Sequence, residues 1–357
     1  MNEQSRCPIL NSRSGNRISK SGHADQKQAS GLKLAGLATL VIALVMCAAV
    51  ARAQQPAKVP RIGFQSDSPF TSIAARIEGF RQGLRELGYV AGKNIVIEMR
   101  SSEGKAERRS EIVAELVRLK VDVIVSGGPS VTRPLKEATS TIPIVMAQDS
   151  DPVGNGFVAS LARPGGNVTG LSSLASEMTG KQLEFTKEII PKLSRVAIIG
   201  NSANPGDSLA LREAVLAAGA YQIYINYLDV QEAKDIEPVI RAAAKARADA
   251  VLVLGNPIFN LQRQQVVELL NKMRLPASFR QPEYVEVGGL MYYGTNYPEL
   301  FRRAATYVDK ILKGAKPTDL PVEQPRKFDF IINLKAAKQI GLTIPPNVLA
   351  RADRVIK

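Results

Sequence analysis

The chain is poor in the residues that carry most nucleophilic and metal chemistry. Its 357 residues include two cysteines (Cys7 and Cys47), one histidine (His23) and no tryptophan. All three lie before residue 53, so removing the first 53 residues leaves 304 with neither cysteine nor histidine. That remainder excludes a Cys/His zinc site, a disulfide framework, a cysteine nucleophile and a Ser-His-Asp triad. No metal ligands, catalytic residues or cofactor are therefore expected. P-loop and G-x-S-x-G patterns are also missing. Gly154-x-Gly156-x-x-Ala159 imitates a dinucleotide fingerprint but does not open a helix directly after a first strand. Asp149 and Asp151 have the form of an acid/base pair, but a Gly/Pro-flanked turn explains them as well.

What is present begins with a leader. Leu34–Ala51 is an uncharged run of 18 residues, preceded by Arg6, Arg13, Arg17, Lys20, Lys27 and Lys33 and followed by Ala51-Arg52-Ala53. A basic start, an apolar stretch and a small-x-small site read as a secretory signal peptide over 1–53 with an extended basic region. An uncleaved anchor and lipidation at Cys47 are the alternatives; Met46 stands where lipidation wants a small residue. The protein is expected in the periplasm. The formal charge of +14 falls to +9 without the leader, and the remaining charges are interspersed. Lys/Arg clusters with interleaved aromatics are missing, so no nucleic-acid partner is expected.

After residue 58 strand and helix signals alternate. Val59–Phe64, Asn94–Met99, Val121–Val125 and Ile142–Met146 read as strands, separated by helical patterns over 71–88, 105–119 and 129–139. The order restarts at Ser194–Gly200, followed by strands Tyr221–Leu228 and Asp249–Leu254. Asp122-Val-Ile-Val-Ser-Gly-Gly-Pro129 and Asp249-Ala-Val-Leu-Val-Leu-Gly-Asn-Pro257 match as Asp, apolar strand, Gly-x-Pro and helix. The expected fold class is α/β, with two Rossmann-like lobes of parallel strands and a hinge of several crossings. The first lobe is expected over 58–172, completed by part of 290–333, the second over 173–289, and a helical tail over 334–357.

Ligands of parallel α/β sheets bind beyond the carboxyl ends of the strands, which directs attention to the loops there. Ser66 and Asp67 follow the first strand, Ser126, Gly127, Gly128 and Ser130 the third, and Asp151 the fourth. Asn201 and Asn256 follow second-lobe strands. The Ser126–Ser130 loop suits an anion at a helix start, or plain turn and cap chemistry. Asp67 and Asp151 suit a cationic group, or turns. Phe279 and Tyr293 are placed to stack on a ligand ring, or to fill the core.

Several segments strongly resemble one family. They include Phe80-Arg-Gln-Gly-Leu-Arg-Glu-Leu-Gly-Tyr89, Asp151-Pro-Val-Gly154, Leu161-Ala-Arg-Pro-Gly-Gly-Asn-Val-Thr-Gly170, Ala304-Ala-Thr-Tyr-Val-Asp-Lys-Ile-Leu-Lys-Gly314 and Gly341-Leu-Thr-Ile-Pro-Pro346. From about Val59 to Lys357 the chain resembles the bacterial ABC-transporter substrate-binding proteins that include tryptophan-type receptors. The resemblance implies a periplasmic-binding-protein type I fold, capture of a small solute, and delivery to a permease with a separate ATPase. Asn256 departs from the family, where Asp is frequent, as does Gln148-Asp149-Ser150. The expected arrangement sets a ligand carboxylate on Ser126–Ser130, an amino group on Asp67 or Asp151, and a second-lobe aromatic over the side chain of an apolar amino acid. A sensor subunit and an exported enzyme are the competing functions.

Overall fold

A computed structural model describes residues 59–255 and 257–357. The expected leader and Asn256 lie outside the described residues. Five strands form the first sheet: β1 (Arg61–Ser66), β2 (Val96–Ser101), β3 (Val123–Ser126), β4 (Ile144–Met146) and β5 (Val168–Gly170). Their order is β2-β1-β3-β4-β5 and every pairing is parallel. Helices α1 (Ala74–Glu86), α2 (Ala106–Arg118) and α3 (Pro129–Ala138) make the crossovers. All four β3 residues are buried, as helices on both faces require.

The second sheet comprises β6 (Arg195–Gly200), β7 (Tyr224–Asp229), β8 (Ala250–Val253), β9 (Ala277–Phe279), β10 (Met291–Thr295), β11 (Phe328–Asn333) and β12 (Arg354–Ile356). Its order is β12-β11-β10-β9-β8-β6-β7, with β10 and β11 antiparallel. The helices here are α4 (Met178–Ile189), α5 (Pro205–Tyr221), α6 (Ile236–Lys245), α7 (Pro257–Leu261), α8 (Arg263–Lys272) and α9 (Glu283–Glu286). Next come α10 (Tyr297–Leu312), α11 (Leu334–Ile340) and α12 (Pro346–Leu349). The stretch 334–357, expected to be helical, ends in a strand: β12 pairs in parallel with β11 and extends the sheet.

The repeated aspartates have the same task in both lobes. Arg61 N–H donates to Asp122 Oδ2 at 2.8 Å, and Arg195 N–H donates to Asp249 Oδ2 at 2.9 Å. Each carboxylate thus holds the start of its sheet's first strand. Both sheets also reverse winding direction at the equivalent place, between β1 and β3 and between β6 and β8, which opens a crevice at the strand ends.

Helix α10 belongs to the first lobe although its neighbours in sequence belong to the second sheet. Its Leu300, Phe301, Ala304 and Val308 share a core with Ile62, Phe64 and Phe80. It lies against α1 so closely that a Cβ at Gly83 would sit 2.3 Å from the Arg302 carbonyl oxygen. The chain consequently passes between lobes three times: after β5, between β10 and α10, and before β11. Backbone hydrogen bonds tie these connections together, Ser172 N–H to Glu323 O at 2.9 Å and Asn296 N–H to Lys327 O at 3.1 Å. Among the described residues no helix is long and apolar enough to cross a membrane.

Candidate functional site

The two crevices face each other around two adjoining cavities. The inner one, about 120 Å³, takes Ser66, Asp67, Gly127, Gly128 and Gln148 from the first lobe and Asn204, Gly255 and Gln281 from the second. The outer one, about 480 Å³, shares Asp67, Ser130 and Asn204 and adds Arg109, Asn201 and Ile258. Of the residues expected from sequence, Ser66, Asp67, Gly127, Gly128, Ser130 and Asn201 therefore come together here.

Asp67 is the chemical centre of the arrangement. Ser66 Oγ accepts from Ser68 N–H at 3.0 Å, a tight turn that directs the chain away from β1. Asp67 is 5% exposed. Its Oδ1 accepts from Arg109 Nε at 2.8 Å and from Ser102 Oγ. Its Oδ2 is buried with no hydrogen-bond partner. Buried polar atoms are nearly always paired, so this oxygen is an unsatisfied acceptor on a residue that lines both cavities. Beside it α3 begins at Pro129 without a side-chain cap, presenting the positive end of a helix next to Gly128 and Ser130. Asn201 contributes less: its Oδ1 accepts from Ala203 N–H at 2.8 Å, forming a turn.

Four of the expected residues lie outside the lining of both cavities. Ser126 is fully buried, its Oγ donating to Gly128 O at 3.1 Å and lying 2.6 Å from Thr132 Oγ1, so it fastens the start of α3 instead of facing the cavity. Asp151 lines neither cavity; its Oδ1 accepts from Gly154 N–H at 2.8 Å and closes a turn. Phe279 stacks on Tyr284 within the second core, centroids 4.8 Å apart. Tyr293 packs on Phe185 at 4.8 Å, within the Phe185–Phe330 cluster. Strand ends place residues near the crevice, but the alternation of side chains sends both aromatics into a core.

Sequence reasoning missed a cation. Arg76, on α1, is 2% exposed and lines the inner cavity. It reaches across the cleft, donating from Nε and Nη2 to the two oxygens of Glu283 on α9 at 2.9 Å each. It also donates to Gln281 Oε1 at 3.1 Å and Gln148 Oε1 at 3.3 Å, and lies 4.3 Å over the Tyr297 ring. The signal was readable. Position 76 falls with Ile73, Ile77 and Phe80 on the buried face of the helix, where a charge needs a partner.

Two further carboxyls are buried near the lobe junction. Burial pushes Asp207 up to about 6 despite Arg280, whose Nη1 is 3.5 Å away. Burial likewise pushes Asp149 up to about 7, against hydrogen bonds from the Asn155 side chain and the Asp151 N–H.

A family described as ABC transporter substrate binding protein matches residues 70–356, most of the chain. The chain belongs to this family. It is a substrate-binding protein that serves an ABC transporter and takes a small-molecule solute. A tyrosine-binding protein of Clostridioides difficile (strain R20291) is 27% identical over 288 residues, covering 80% of this chain and 82% of that protein. The ABC domain from Streptococcus pneumonia, solved in complex with L-Trp, superposes with a TM-score of 0.78 at 27% identity, covering 83% and 99% of the two chains. A conserved domain protein from Vibrio cholerae O1 biovar El Tor gives 0.79 at 28% identity, covering 84% and 100%. Members of the family are binding proteins, and the cleft of this substrate-binding protein lies where its two lobes meet.

Proposed function

We propose that this substrate-binding protein captures an apolar or aromatic amino acid between its lobes. It works outside the cytoplasm, reached through the leader, and releases the solute unchanged to a permease powered by a separate ATPase. The carrying observation is the buried, unpartnered Oδ2 of Asp67, a residue that lines both cavities. An ammonium group supplies the missing donor and the opposite charge. The ligand carboxylate then meets the start of α3, where the Ser130 N–H and the positive end of the helix favour an anion. Ile73, Val131 and Phe301 line the inner cavity, and Ile258 the outer one. These side chains, in place of Phe279 and Tyr293, give the solute side chain its apolar surround. Relatives whose names record tyrosine binding and a complex with L-Trp support the same class.

Calorimetry with tyrosine, tryptophan, phenylalanine, leucine and their desamino analogues tests the reading. At least one amino acid is expected to bind tighter than ~1 mM, and its desamino analogue about 10- to 100-fold more weakly, the worth of one charge-assisted hydrogen bond. Asp67→Asn is expected to produce the same loss for the amino acid and none for the analogue. An analogue that binds as well as its parent would refute the role of Asp67. A panel with no binding tighter than ~1 mM would refute the ligand class.

A further inference from the structure

A third cavity, of about 330 Å³, lies away from the cleft, where the three lobe connections run side by side. Leu171 comes from the connection after β5, Asn296 from that between β10 and α10, and Glu323 to Lys327 from that before β11. The first turns of α10 supply the remaining wall. Its volume is within the range of small-molecule sites, about 300–1,000 Å³.

The charge of this wall is unbalanced. Arg302 is committed to Glu299, at 2.8 and 2.7 Å, and to Glu86 at 2.6 Å. Arg303 is committed to Glu323, at 2.9 and 2.8 Å. Arg326 and Lys327 remain: among the described residues neither forms an ion pair, and both are exposed along the rim. Lys327 is near enough to help Arg302 hold the Glu299 carboxyl below its usual range, without touching it. The lining thus sets four cations against the carboxylates of Glu299 and Glu323.

We infer that this cavity binds a small multivalent oxyanion, gripped by Arg326 and Lys327 and in contact with all three lobe connections. Guanidinium and ammonium groups on a concave wall offer a phosphate or carboxylate donors with matching charge. The location gives the site its consequence. Hinge closure turns the backbone at the connections, so an anion touching all three favours the lobe angle at which it fits. The inference does not depend on which solute occupies the cleft.

Inorganic pyrophosphate is the probe, titrated into the purified protein by calorimetry at low salt, with sodium chloride of equal ionic strength as the control. One site is expected in the wild type. The double variant Arg326→Gln/Lys327→Gln, altering two exposed side chains, is expected to bind at least roughly tenfold more weakly. Amide hydrogen exchange is expected to slow on pyrophosphate addition at 171–173, 295–297 and 323–327. No pyrophosphate binding tighter than ~1 mM, affinity unchanged in the double variant, or slowing confined to other segments would each overturn the inference.

Discussion

Glu283→Gln isolates the contact by which the lobes hold each other across the floor of the cleft. The Arg76 guanidinium is 2% exposed, and the substitution removes the one negative charge it touches. Breaking a fully buried ion pair from one side costs about 3–5 kcal/mol. Here the cost is smaller for two reasons. Glu283 keeps 18% of its side chain in solvent, and Gln281, Gln148 and the Tyr297 ring continue to face the guanidinium. A loss of about 2–3 kcal/mol is expected, in keeping with one strong bidentate contact. Arg76→Met removes the cation while retaining apolar bulk, and its cost is expected at about 1–2 kcal/mol because Glu283 can turn to water. With the double variant these close a cycle, read by urea denaturation at pH 7. The coupling is expected at about 1.5–2 kcal/mol. A coupling below about 0.5 kcal/mol would refute the reasoning, since exposed pairs give that value and the lobes would not meet at this point in solution.

Other substitutions probe the packing and the buried charge. Gly83→Ala in a helix interior ordinarily stabilises by up to about 1 kcal/mol, but here the methyl group would meet the Arg302 carbonyl oxygen at 2.3 Å. A net loss of about 1–3 kcal/mol in thermal unfolding is expected, and a gain would show that α1 and α10 are not so close. Asp149 has its folded pKa raised from 3.8 to about 7 by burial, so its favourable contribution is present below pH 3.8 and is lost as pH rises through about 7. Asp149→Asn keeps a carbonyl oxygen for the Asp151 and Asn155 donors and cannot ionise. The variant's stability relative to wild type, from urea midpoints at pH 4 and pH 8, is expected to improve toward pH 8; an unchanged difference would mean the carboxyl is hydrated.

The architecture was legible where one physical requirement dominates. Strands buried on both faces must be apolar runs, so β3 and β8 were found within two residues, and the matching aspartates marked equivalent strands. Boundaries slipped where pairing outlasts apolarity. Gln65 and Ser66 read as a loop, yet they continue β1 opposite Arg100 and Ser101, so the chain turns away only at Asp67. The site was legible at the level of loops, because the end of a parallel strand determines where a loop lies. It was not legible at the level of individual side chains. Ser126 and Asp67 both follow strands, and neighbouring geometry decides that one hydroxyl is spent on α3 while one carboxylate oxygen stays free. Arg76 lies within the apolar face of α1, so the hydrophobic spacing that marks the helix conceals the charge on it.

The position of α10 also has a consequence in time. The first lobe is built from residues 61–170 and from 297–312, with more than a hundred residues of the other lobe between them. As the chain emerges from N- to C-terminus, Phe64, Ile77 and Phe80 are made early and stay uncovered until Leu300, Phe301 and Ala304 arrive. Contacts of such long sequence separation form slowly because loop closure must precede the reward of burial. A fragment ending at β10 would expose an apolar groove along α1, and native folding of the first lobe has to wait for the last fifth of the chain. Export of an extended polypeptide, which the proposed leader implies, suits a chain whose first lobe is still unfolded when most of it has been made.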